Sequence, residues 1–433
     1  MKLYWLLTMK RLASDGKQAD EMSDMSRGTI RTKDRAERPL DVWALFIIAG
    51  FFLLACDAWL LYHSARAGLW LVDKQGMPAP LDFSAFWAAG RLVVEGKAAT
   101  AYQWDALKAV VEALSGRSFD AANYPIFYPP VFLLFIAPLG FFPYVTAAVV
   151  WIMATLAAYL AAAYAILPRR TGAIIVALAA PAVLWCVCVG QNGLLSAGLI
   201  GGGLALLERR PVLAGVLFGA LVFKPQFGLL IPFVLIASGN WRAFVSAAVT
   251  VIVLFVAAGA IFGVEIFSAF LQAMSWANDK LLNVGVLPWY KVQSFYGLSR
   301  ALGLGATLAW AIHGILAIAA TVVTLALWRD RDVAYELKAA ALATVTLVLS
   351  PYSCVYDLPI VAMAVLFLLK DDARRTLLPL EIAGLGFAYV LPMFFPALAI
   401  PVGPFVYATL GAIIAWRAGE WWVRRGSNPG QLD

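Results

Sequence analysis

Apolar runs dominate this chain from about Leu40 to Trp416, and short polar breaks separate them. A helix that crosses the hydrocarbon core of a bilayer needs about 20 mainly apolar residues. The pattern therefore predicts an all-α polytopic membrane protein with about twelve transmembrane helices, the first at 40–62. We place the others at 143–166, 172–189, 193–207, 211–223, 227–238, 243–262, 304–327, 338–350, 358–369, 377–393 and 397–416.

Composition supports the same class of protein. Hydrophobic residues make up 62% of the chain and charged residues only 14%, whereas soluble domains carry about 25% charged residues. Arg and Lys cluster in the polar breaks. With a cytoplasmic N-terminus and about twelve crossings, every one of these clusters lies on the cytoplasmic side, as is usual for membrane proteins. The net charge of +7 thus indicates orientation in the cell (inner) membrane and not nucleic-acid binding. Residues 1–40 and 417–433 are predicted to be cytoplasmic tails of a transmembrane domain at 41–416.

Two longer polar segments are predicted to be extracytoplasmic. The first loop (63–127) contains two amphipathic stretches, Phe83–Glu95 and Trp104–Leu114, and the second loop covers 263–303. The apolar stretch Tyr128–Phe142 is bounded by prolines. If it were counted as a full crossing, the later Arg and Lys clusters would no longer lie on the cytoplasmic side. We expect it to be a partial or re-entrant helix. Irregular backbone at membrane depth is tolerated where it lines an enclosed cavity, so this stretch hints at a site.

Asp82 is the first candidate for chemistry, because it lies in the first loop among apolar and aromatic neighbours. A carboxylate held near the membrane face could act as a general base. A helix is predicted to start directly after it, so the alternative is that Asp82 only caps that helix. The sequence pattern leaves both interpretations open.

Lys224 is the one lysine inside a long apolar region, and such a residue defaults to a functional hypothesis. It could instead reach the membrane interface; if it is paired, we expect a lipid phosphate as the partner.

Gln191 and Asn192 lie in a tight Gly-Gln-Asn-Gly turn, which the backbone alone could require, but their side chains could also bind sugar hydroxyls or phosphate oxygens. No metal-ligand spacing and no cofactor motif is found, so we predict neither a metal nor a cofactor.

A series of short motifs runs along the chain in a fixed order. They are Asp82-Phe83, Ala88-Ala89-Gly90, Gly96 to Tyr102, Tyr128-Pro129-Pro130, Pro138-Leu139, Trp151, Gly190-Gln191-Asn192, Arg210-Pro211, Ala214-Gly215, Lys224-Pro225-Gln226, Trp241-Arg242, Gln293-Ser294, Ser350-Pro351-Tyr352 and Tyr356-Asp357. In this order and spacing they resemble glycosyltransferase family 87, of the GT-C superfamily of polyprenyl-phosphate-sugar-dependent transferases. The resemblance extends from about Leu40 to Trp416.

The resemblance implies a GT-C-like fold and a reaction. Members move a sugar, often mannose, from a polyprenyl phosphate carrier to a lipid or glycan acceptor, usually with inversion, and catalysis rests on an acidic residue of the first extracytoplasmic loop. Asp82 matches that position. Beside it, we expect residues that bind the phosphate or sugar of the donor: Lys224, Gln191, Asn192, Tyr128, Gln293, Ser294, Tyr356 and Asp357. Some relatives have histidines where this chain has Tyr356-Asp357, so their substrate details do not transfer.

Two other functions remain compatible with the sequence. A secondary transporter or a flippase for lipid-linked sugars would also have about twelve crossings, but it would place charged residues near the midplane of the membrane. A non-catalytic membrane scaffold would leave Asp82 away from any cavity. The partners predicted for the transferase are a polyprenyl-phosphate sugar, an acceptor and membrane lipids, with no nucleic acid.

Overall fold

The computed structural model describes residues 42–79, 81–116, 118, 126–167, 171–278, 288–371 and 377–427, without the side chains of 276–278 and 421–427. The chain divides into two compact units, 1–42 and 43–433, and apart from Val42 the described residues all belong to the second. The tail predicted at 1–40 and the last residues of the tail predicted at 417–433 lie outside the described residues.

The described residues are helical. The α-helices are α1 (Val42–Arg66), α2 (Phe83–Val94), α3 (Trp104–Ser115), α4 (Val131–Ile136), α5 (Tyr144–Ile166), α6 (Thr171–Leu178), α7 (Pro181–Val189), α8 (Gly193–Leu206), α9 (Pro211–Ala220), α10 (Pro225–Gly228), α11 (Ile231–Ala237), α12 (Trp241–Phe262), α13 (Glu265–Asn278), α14 (Phe295–Ala301), α15 (Ala306–Arg329), α16 (Tyr335–Leu349), α17 (Pro359–Asp371), α18 (Pro379–Val390), α19 (Phe395–Leu398) and α20 (Gly403–Ser427). Between them lie 3-10 helices at Ala98–Tyr102, Ala137–Phe141, Leu221–Phe223, Trp289–Lys291, Val355–Asp357 and Leu391–Phe394. In this part of the chain the only strand-like pairing is three isolated bridges, which confirms the all-α class.

Five stretches are long and apolar enough to cross a membrane: α1, α5, α12, α15 and the run Pro379–Leu398. A sixth would be α6 with α7, which are bent by 57° where Pro181 interrupts the helix. Proline removes a helical hydrogen bond and clashes with the preceding turn, so a bend at this point is expected. The chain is thus a multi-pass membrane protein. The count of about twelve crossings stays a prediction, because several apolar helices are shorter than a full span.

Short helices occupy the stretches that the sequence analysis singled out, while their assignment to a re-entrant segment and an extracytoplasmic loop stays a prediction. Helices α2 and α3 match the two amphipathic stretches of the first loop. The proline-bounded stretch at Tyr128–Phe142 forms the short α4 followed by a 3-10 turn. Helix α20 continues beyond the predicted crossing that ends at 416, and reaches Ser427.

The interior of the bundle is built around α8, α16 and α17, which are buried on nearly all sides. Helix α8 is rich in glycine, and its Gly198 lies directly against the backbone of Ala158 in α5. Helix α12 is the opposite case, because most of its large apolar side chains are exposed. A helix that is apolar on all sides and unburied by protein is typical of contact with lipid.

One of the positive clusters has a structural use in addition to orientation. Arg417 is 3% exposed; its Nη1 contacts Asp371 Oδ2 at 2.9 Å and its Nε contacts Glu381 Oε1 at 3.0 Å. These groups come from α20, α17 and α18. The ion pairs therefore fasten three helices at one end of the bundle, and a buried charge is tolerated there because it is paired.

Candidate functional site

Asp82 lies at the start of α2, on a segment fastened to the partial helix. Tyr144 donates a hydrogen bond to the carbonyl of Ala79 at 2.9 Å, and Trp87 Nε1 donates to the carbonyl of Phe142 at 2.9 Å. One turn after Trp87, Gly90 lies so close to Gly140 that a Cβ on either would overlap the backbone of the other segment. The apolar stretch that the sequence analysis singled out is thus the surface that positions Asp82.

The carboxylate of Asp82 does not cap α2. Asp82 occupies the N-cap position with helical backbone angles, and its side chain accepts no hydrogen bond from the helix N-terminus. Instead its Oδ2 accepts a hydrogen bond from Gln191 Nε2 at 3.1 Å. The capping alternative is therefore wrong, and the carboxylate is directed toward the turn that carries Gln191.

The Gly-Gln-Asn-Gly turn at 190–193 joins α7 to α8 and lies between the two acidic segments of the site. Gly190 has a positive φ of 69°, and a Cβ on it would be 2.6 Å from Phe83 Cβ, next to Asp82. On the other side, a Cβ on Gly193 would overlap the carbonyl oxygen of Tyr356, next to Asp357. Trp151 Nε1 fixes the turn by donating to the carbonyl of Gly190 at 3.1 Å. The glycines therefore allow three segments distant in sequence to meet.

We expect Gly193→Ala to disrupt this meeting point. The added methyl group must push away the carbonyl of Tyr356, a backbone group that cannot rotate aside, so activity should fall at least tenfold with a lower melting temperature. The control is Gly314→Ala, because no atom lies within 4 Å of a Cβ at Gly314 in α15. That change should leave stability unchanged or raised by up to about 1 kcal/mol. Equal behaviour of the two variants in thermal unfolding and activity would contradict the packing described here.

Lys224 forms a buried ion pair with Asp357, which corrects the expectation of a lipid phosphate as its partner. Its Nζ contacts Asp357 Oδ1 directly, and the two residues are 3% and 2% exposed. Asp357 Oδ2 accepts a further hydrogen bond from the backbone N–H of Cys354 at 3.0 Å. The positive charge is therefore neutralised inside the protein.

Aromatic rings surround the same ammonium group. Its Nζ lies 5.1 Å from the ring centre of Phe227, 5.5 Å from that of Tyr356 and 5.9 Å from that of Tyr128. Rings within about 6 Å attract a cation through their quadrupole. Lys224 thus joins its own segment, where α9 gives way to α10, to the third loop (350–357) and to Tyr128. We interpret its main role as holding these segments together.

Tyr128 connects the two carboxylates of the site. Its hydroxyl donates to Gln191 Oε1 at 3.3 Å, which orients the amide of Gln191 so that its NH₂ group faces Asp82. Burial and the nearby carboxylates of Asp357 and Asp82 raise the pKa of Tyr128 well above its usual range. The hydroxyl is therefore protonated at neutral pH and acts as a donor.

Asn192 has unused hydrogen-bonding capacity. It is fully buried beside Tyr128, and neither amide atom makes a hydrogen bond of standard geometry to another described residue. Buried polar groups are nearly always satisfied, and the Tyr128 hydroxyl is close enough for a hydrogen bond from the Asn192 side chain to oppose the rise in its pKa. The role of Asn192 in binding the donor stays a prediction.

Gln293 and Ser294 are near the site but serve the protein itself. The amide oxygen of Gln293 accepts from the N–H groups of Val402 and Gly403, both at 2.8 Å. Ser294 Oγ donates to the carbonyl of Pro351 at 2.8 Å and also caps α14. We therefore assign both side chains to fastening the second loop to the third loop and to α20. Their role in donor binding stays a prediction, because both side chains already bond to the backbone of neighbouring segments.

Lys291 is a residue that sequence reasoning missed. Burial raises the pKa of the Asp82 carboxyl above its ordinary value of 3.8, whereas the Gln191 hydrogen bond and the positive charge of Lys291 lower it. Lys291 is exposed in the second loop, and no motif around it marked it as part of the site. Among the described residues, no group of three or more His, Cys, Asp or Glu side chains is placed to hold a metal ion.

The pH dependence of activity should report this environment. The resemblance predicts that Asp82 is a general base, which must be ionised, so we expect kcat/KM to fall as the pH drops through a pKa above 3.8. Gln191→Ala removes a donor that favours the ionised form, so this limb should move to higher pH. Lys291→Gln should move it in the same direction by less, because an exposed charge is screened by salt. Lys97→Gln is the control and should leave the limb unchanged; a shift to lower pH in Gln191→Ala would exclude Asp82 as the titrating group.

The comparison with known families now decides the class of protein. Residues 126–351, just over half of the chain, match the family described as glycosyltransferase family 87. The chain belongs to glycosyltransferase family 87. Comparisons with curated proteins and with solved structures find no match.

Membership makes this family 87 protein a membrane glycosyltransferase, and hence an enzyme that takes a sugar donor and an acceptor. The resemblance recognised in the sequence is confirmed. The transporter and scaffold alternatives are not supported by the family. Tyr128, Gln191, Asn192 and Lys224 lie within the matched residues, whereas Asp82 precedes them, so its role rests on the geometry of the site.

Proposed function

We propose that this family 87 protein transfers a hexose, with mannose favoured, from a polyprenyl phosphate to a lipid or glycan acceptor on the extracytoplasmic face of the cell membrane. In this proposal the GT-C-like domain has about twelve crossings with both termini in the cytoplasm. Asp82 is the general base and the anomeric configuration is inverted.

The observation that carries the proposal is the state of the Asp82 carboxylate. It is partly buried, does not cap its helix, and is held by the amide of Gln191. Burial raises its pKa toward the range in which a carboxylate accepts protons effectively. A structural carboxylate at a helix start would instead bond to backbone N–H groups.

The reaction balances with this one base. The acceptor hydroxyl oxygen attacks the anomeric carbon of the donor and forms the new glycosidic bond. Its proton passes to Asp82, and the bond between the anomeric carbon and the phosphate oxygen breaks with its electrons going to the phosphate. The products are the glycosylated acceptor, a polyprenyl phosphate and a proton, which Asp82 releases to solvent.

Hydrogen-bond donors or cations are required to stabilise the negative charge that develops on the leaving phosphate. Since Lys224 is neutralised by Asp357, we assign this task to Lys291, whose charge acts on Asp82, and to the amide of Asn192. Tyr128 and Gln191 then position the base. Tyr356, Asp357 and Lys224 form a cluster that packs against Tyr128 and supports it. This assignment changes the role of Lys224 from phosphate ligand to support.

Product formation is the direct test of the proposed activity. Purified protein in lipid vesicles is incubated with radiolabelled polyprenyl-phosphate mannose or glucose and an extract of membrane lipids, and labelled products are separated and identified by mass spectrometry. We expect one labelled product that increases with time and is absent with Asp82→Asn. Transfer from a nucleotide sugar but from neither lipid-linked donor would refute the proposed donor class.

A further inference from the structure

One face of α1 is exposed along the whole length of the helix. Its residues follow one another at steps of three and four positions, the spacing that places side chains on one side of a helix. They are Leu45, Ile48, Phe52, Ala55, Trp59, Tyr62 and Arg66. Asp57 lies on the buried side and is only 7% exposed, so the exposed surface of α1 carries no charge before His63.

The end of α1 that leads into the first loop lies at the level of the lipid headgroups. Helix α1 is long and apolar enough to cross a membrane, and its 25 residues extend over about 37 Å at 1.5 Å per residue, whereas the hydrocarbon core is about 30 Å thick. Trp59 and Tyr62 are 60% and 58% exposed, and both residue types are enriched where hydrocarbon meets the headgroups. His63 and Arg66 come after them and therefore face the headgroups.

The rings and cations at this end of α1 form one cluster. The ring centres of Trp59 and His63 are 4.4 Å apart, and those of Tyr62 and His63 are 5.5 Å apart. Arg66 Cζ lies 5.9 Å from the ring centre of Tyr62, a distance at which a ring attracts a cation. The four side chains thus present a single exposed surface that is apolar on the membrane side and basic at the helix end.

Lys74 adds a second permanent positive charge. The chain folds back after α1 at Gly68, whose φ is +70°, and a Cβ there would be 2.5 Å from the backbone nitrogen of Lys74. The neighbouring carboxylate of Asp73 accepts hydrogen bonds from two backbone N–H groups of its own turn, both at 2.9 Å. Among the described residues, neither Arg66 nor Lys74 forms an ion pair. Their charges are therefore available to an anion from outside the protein.

The position of these cations indicates an anion that belongs to the membrane. Phosphate oxygens accept strong, charge-assisted hydrogen bonds from guanidinium and ammonium groups, and basic residues near a membrane surface attract anionic lipids. Acyl chains would cover the apolar part of the exposed face. A second copy of the chain on this face would bring two Arg66 side chains together across a twofold axis, which like-charge repulsion disfavours.

We propose that this end of α1 is a binding site for an anionic phospholipid. The lipid phosphate contacts Arg66 and Lys74, the rings of Trp59 and Tyr62 flank the glycerol region, and one acyl chain lies along the exposed face of α1. The bound lipid fixes the membrane depth of the segment that connects α1 to Asp82. The site needs no step of the transfer reaction, so it is independent of the proposed function.

Photolabelling locates the site and measures its selectivity. The full-length protein in phosphatidylcholine nanodiscs is irradiated with a small fraction of phosphatidylglycerol that carries a diazirine on its headgroup. We expect labelled peptides that contain residues 59–77, and the labelling should be suppressed by unlabelled phosphatidylglycerol but not by additional phosphatidylcholine. Labelling confined to other peptides, or equal suppression by both lipids, would overturn the site.

Variants of equal net charge make the test specific. Arg66→Gln with Lys74→Gln removes both cations, and since each basic residue contributes about fivefold, the concentration of phosphatidylglycerol for half-suppression should rise at least tenfold. Lys97→Gln with Lys108→Gln is the control, because both lysines are in the first loop but are paired with glutamates; it should change nothing.

A charge-conserving variant separates binding from folding. Arg66→Lys with Lys74→Arg keeps both positive charges at the same exposed positions and should retain labelling within about threefold of the unmodified protein. Loss of labelling in this variant to the same extent as in the double glutamine variant would contradict a site based on charge. Equal labelling of the double glutamine variant and its lysine control would do the same.

Discussion

Asp82→Asn is expected to lower the rate of sugar transfer by a factor of about 10²–10⁴, the usual contribution of a general base. Asparagine has nearly the same size and can still accept the hydrogen bond from Gln191 Nε2, but it cannot take a proton. Because the side chain does not cap α2, the fold should be retained. The measurement is the initial rate of labelled product with saturating donor and acceptor, together with the melting temperature of the purified variant.

Asp105→Asn is the matched control for this substitution. Asp105 is also an aspartate of the first loop, but it is in the first turn of α3 and contacts none of the candidate site residues described above. Its loss should change the rate by less than twofold. A transfer rate of Asp82→Asn within a factor of about three of the unmodified enzyme would remove the base from the proposed reaction.

Breaking the buried ion pair should have the largest effect on stability. Lys224→Met leaves the Asp357 carboxylate buried without its cation, and Asp357→Asn leaves the ammonium of Lys224 without its anion. Removing one partner of a buried pair costs about 3–5 kcal/mol. Each single variant should therefore unfold at a clearly lower temperature in thermal-shift or size-exclusion measurements in detergent.

The double variant Lys224→Met/Asp357→Asn separates support from phosphate binding. It contains no unpaired charge, and the asparagine introduced at position 357 retains an oxygen for the N–H of Cys354, so it should be more stable than either single variant. Lys97→Met is the control, because its ion pair with Glu95 is exposed and is worth at most about 1 kcal/mol. If Lys224→Met kept the normal melting temperature and only weakened donor binding, the lysine would be a phosphate ligand as the sequence analysis had expected.

The sequence was informative where chemistry conflicts with the local environment. A carboxylate among aromatic residues, a lysine in an apolar region and a tight Gly-Gln-Asn-Gly turn each stood out, and Asp82, Lys224 and Gln191 do lie around one site. Helix positions were also predictable, because apolar length and proline mark the ends of elements. The number of full crossings was not, since short helices such as α9 and α11 have the composition of a span without its length.

The partners of these residues could not be predicted, because they depend on contacts between distant segments. Lys224 and Asp357 are separated by 133 positions, and nothing near either residue marks the other as its counter-ion. Gln293 has the same amide as Gln191, yet its amide oxygen accepts hydrogen bonds from two backbone N–H groups at the start of α20. Lys291 is an ordinary exposed lysine until the fold brings it near Asp82.

The anomeric configuration of the product tests the central role of Asp82 most directly. A single base that activates the acceptor hydroxyl requires one displacement at the anomeric carbon, so the configuration must invert, whereas a carboxylate acting as nucleophile gives two displacements and retention. The donor of known configuration and the purified product are compared by the one-bond carbon–proton coupling of the anomeric position in NMR. We predict inversion; a product with the configuration of the donor would contradict the assignment of Asp82 as the base.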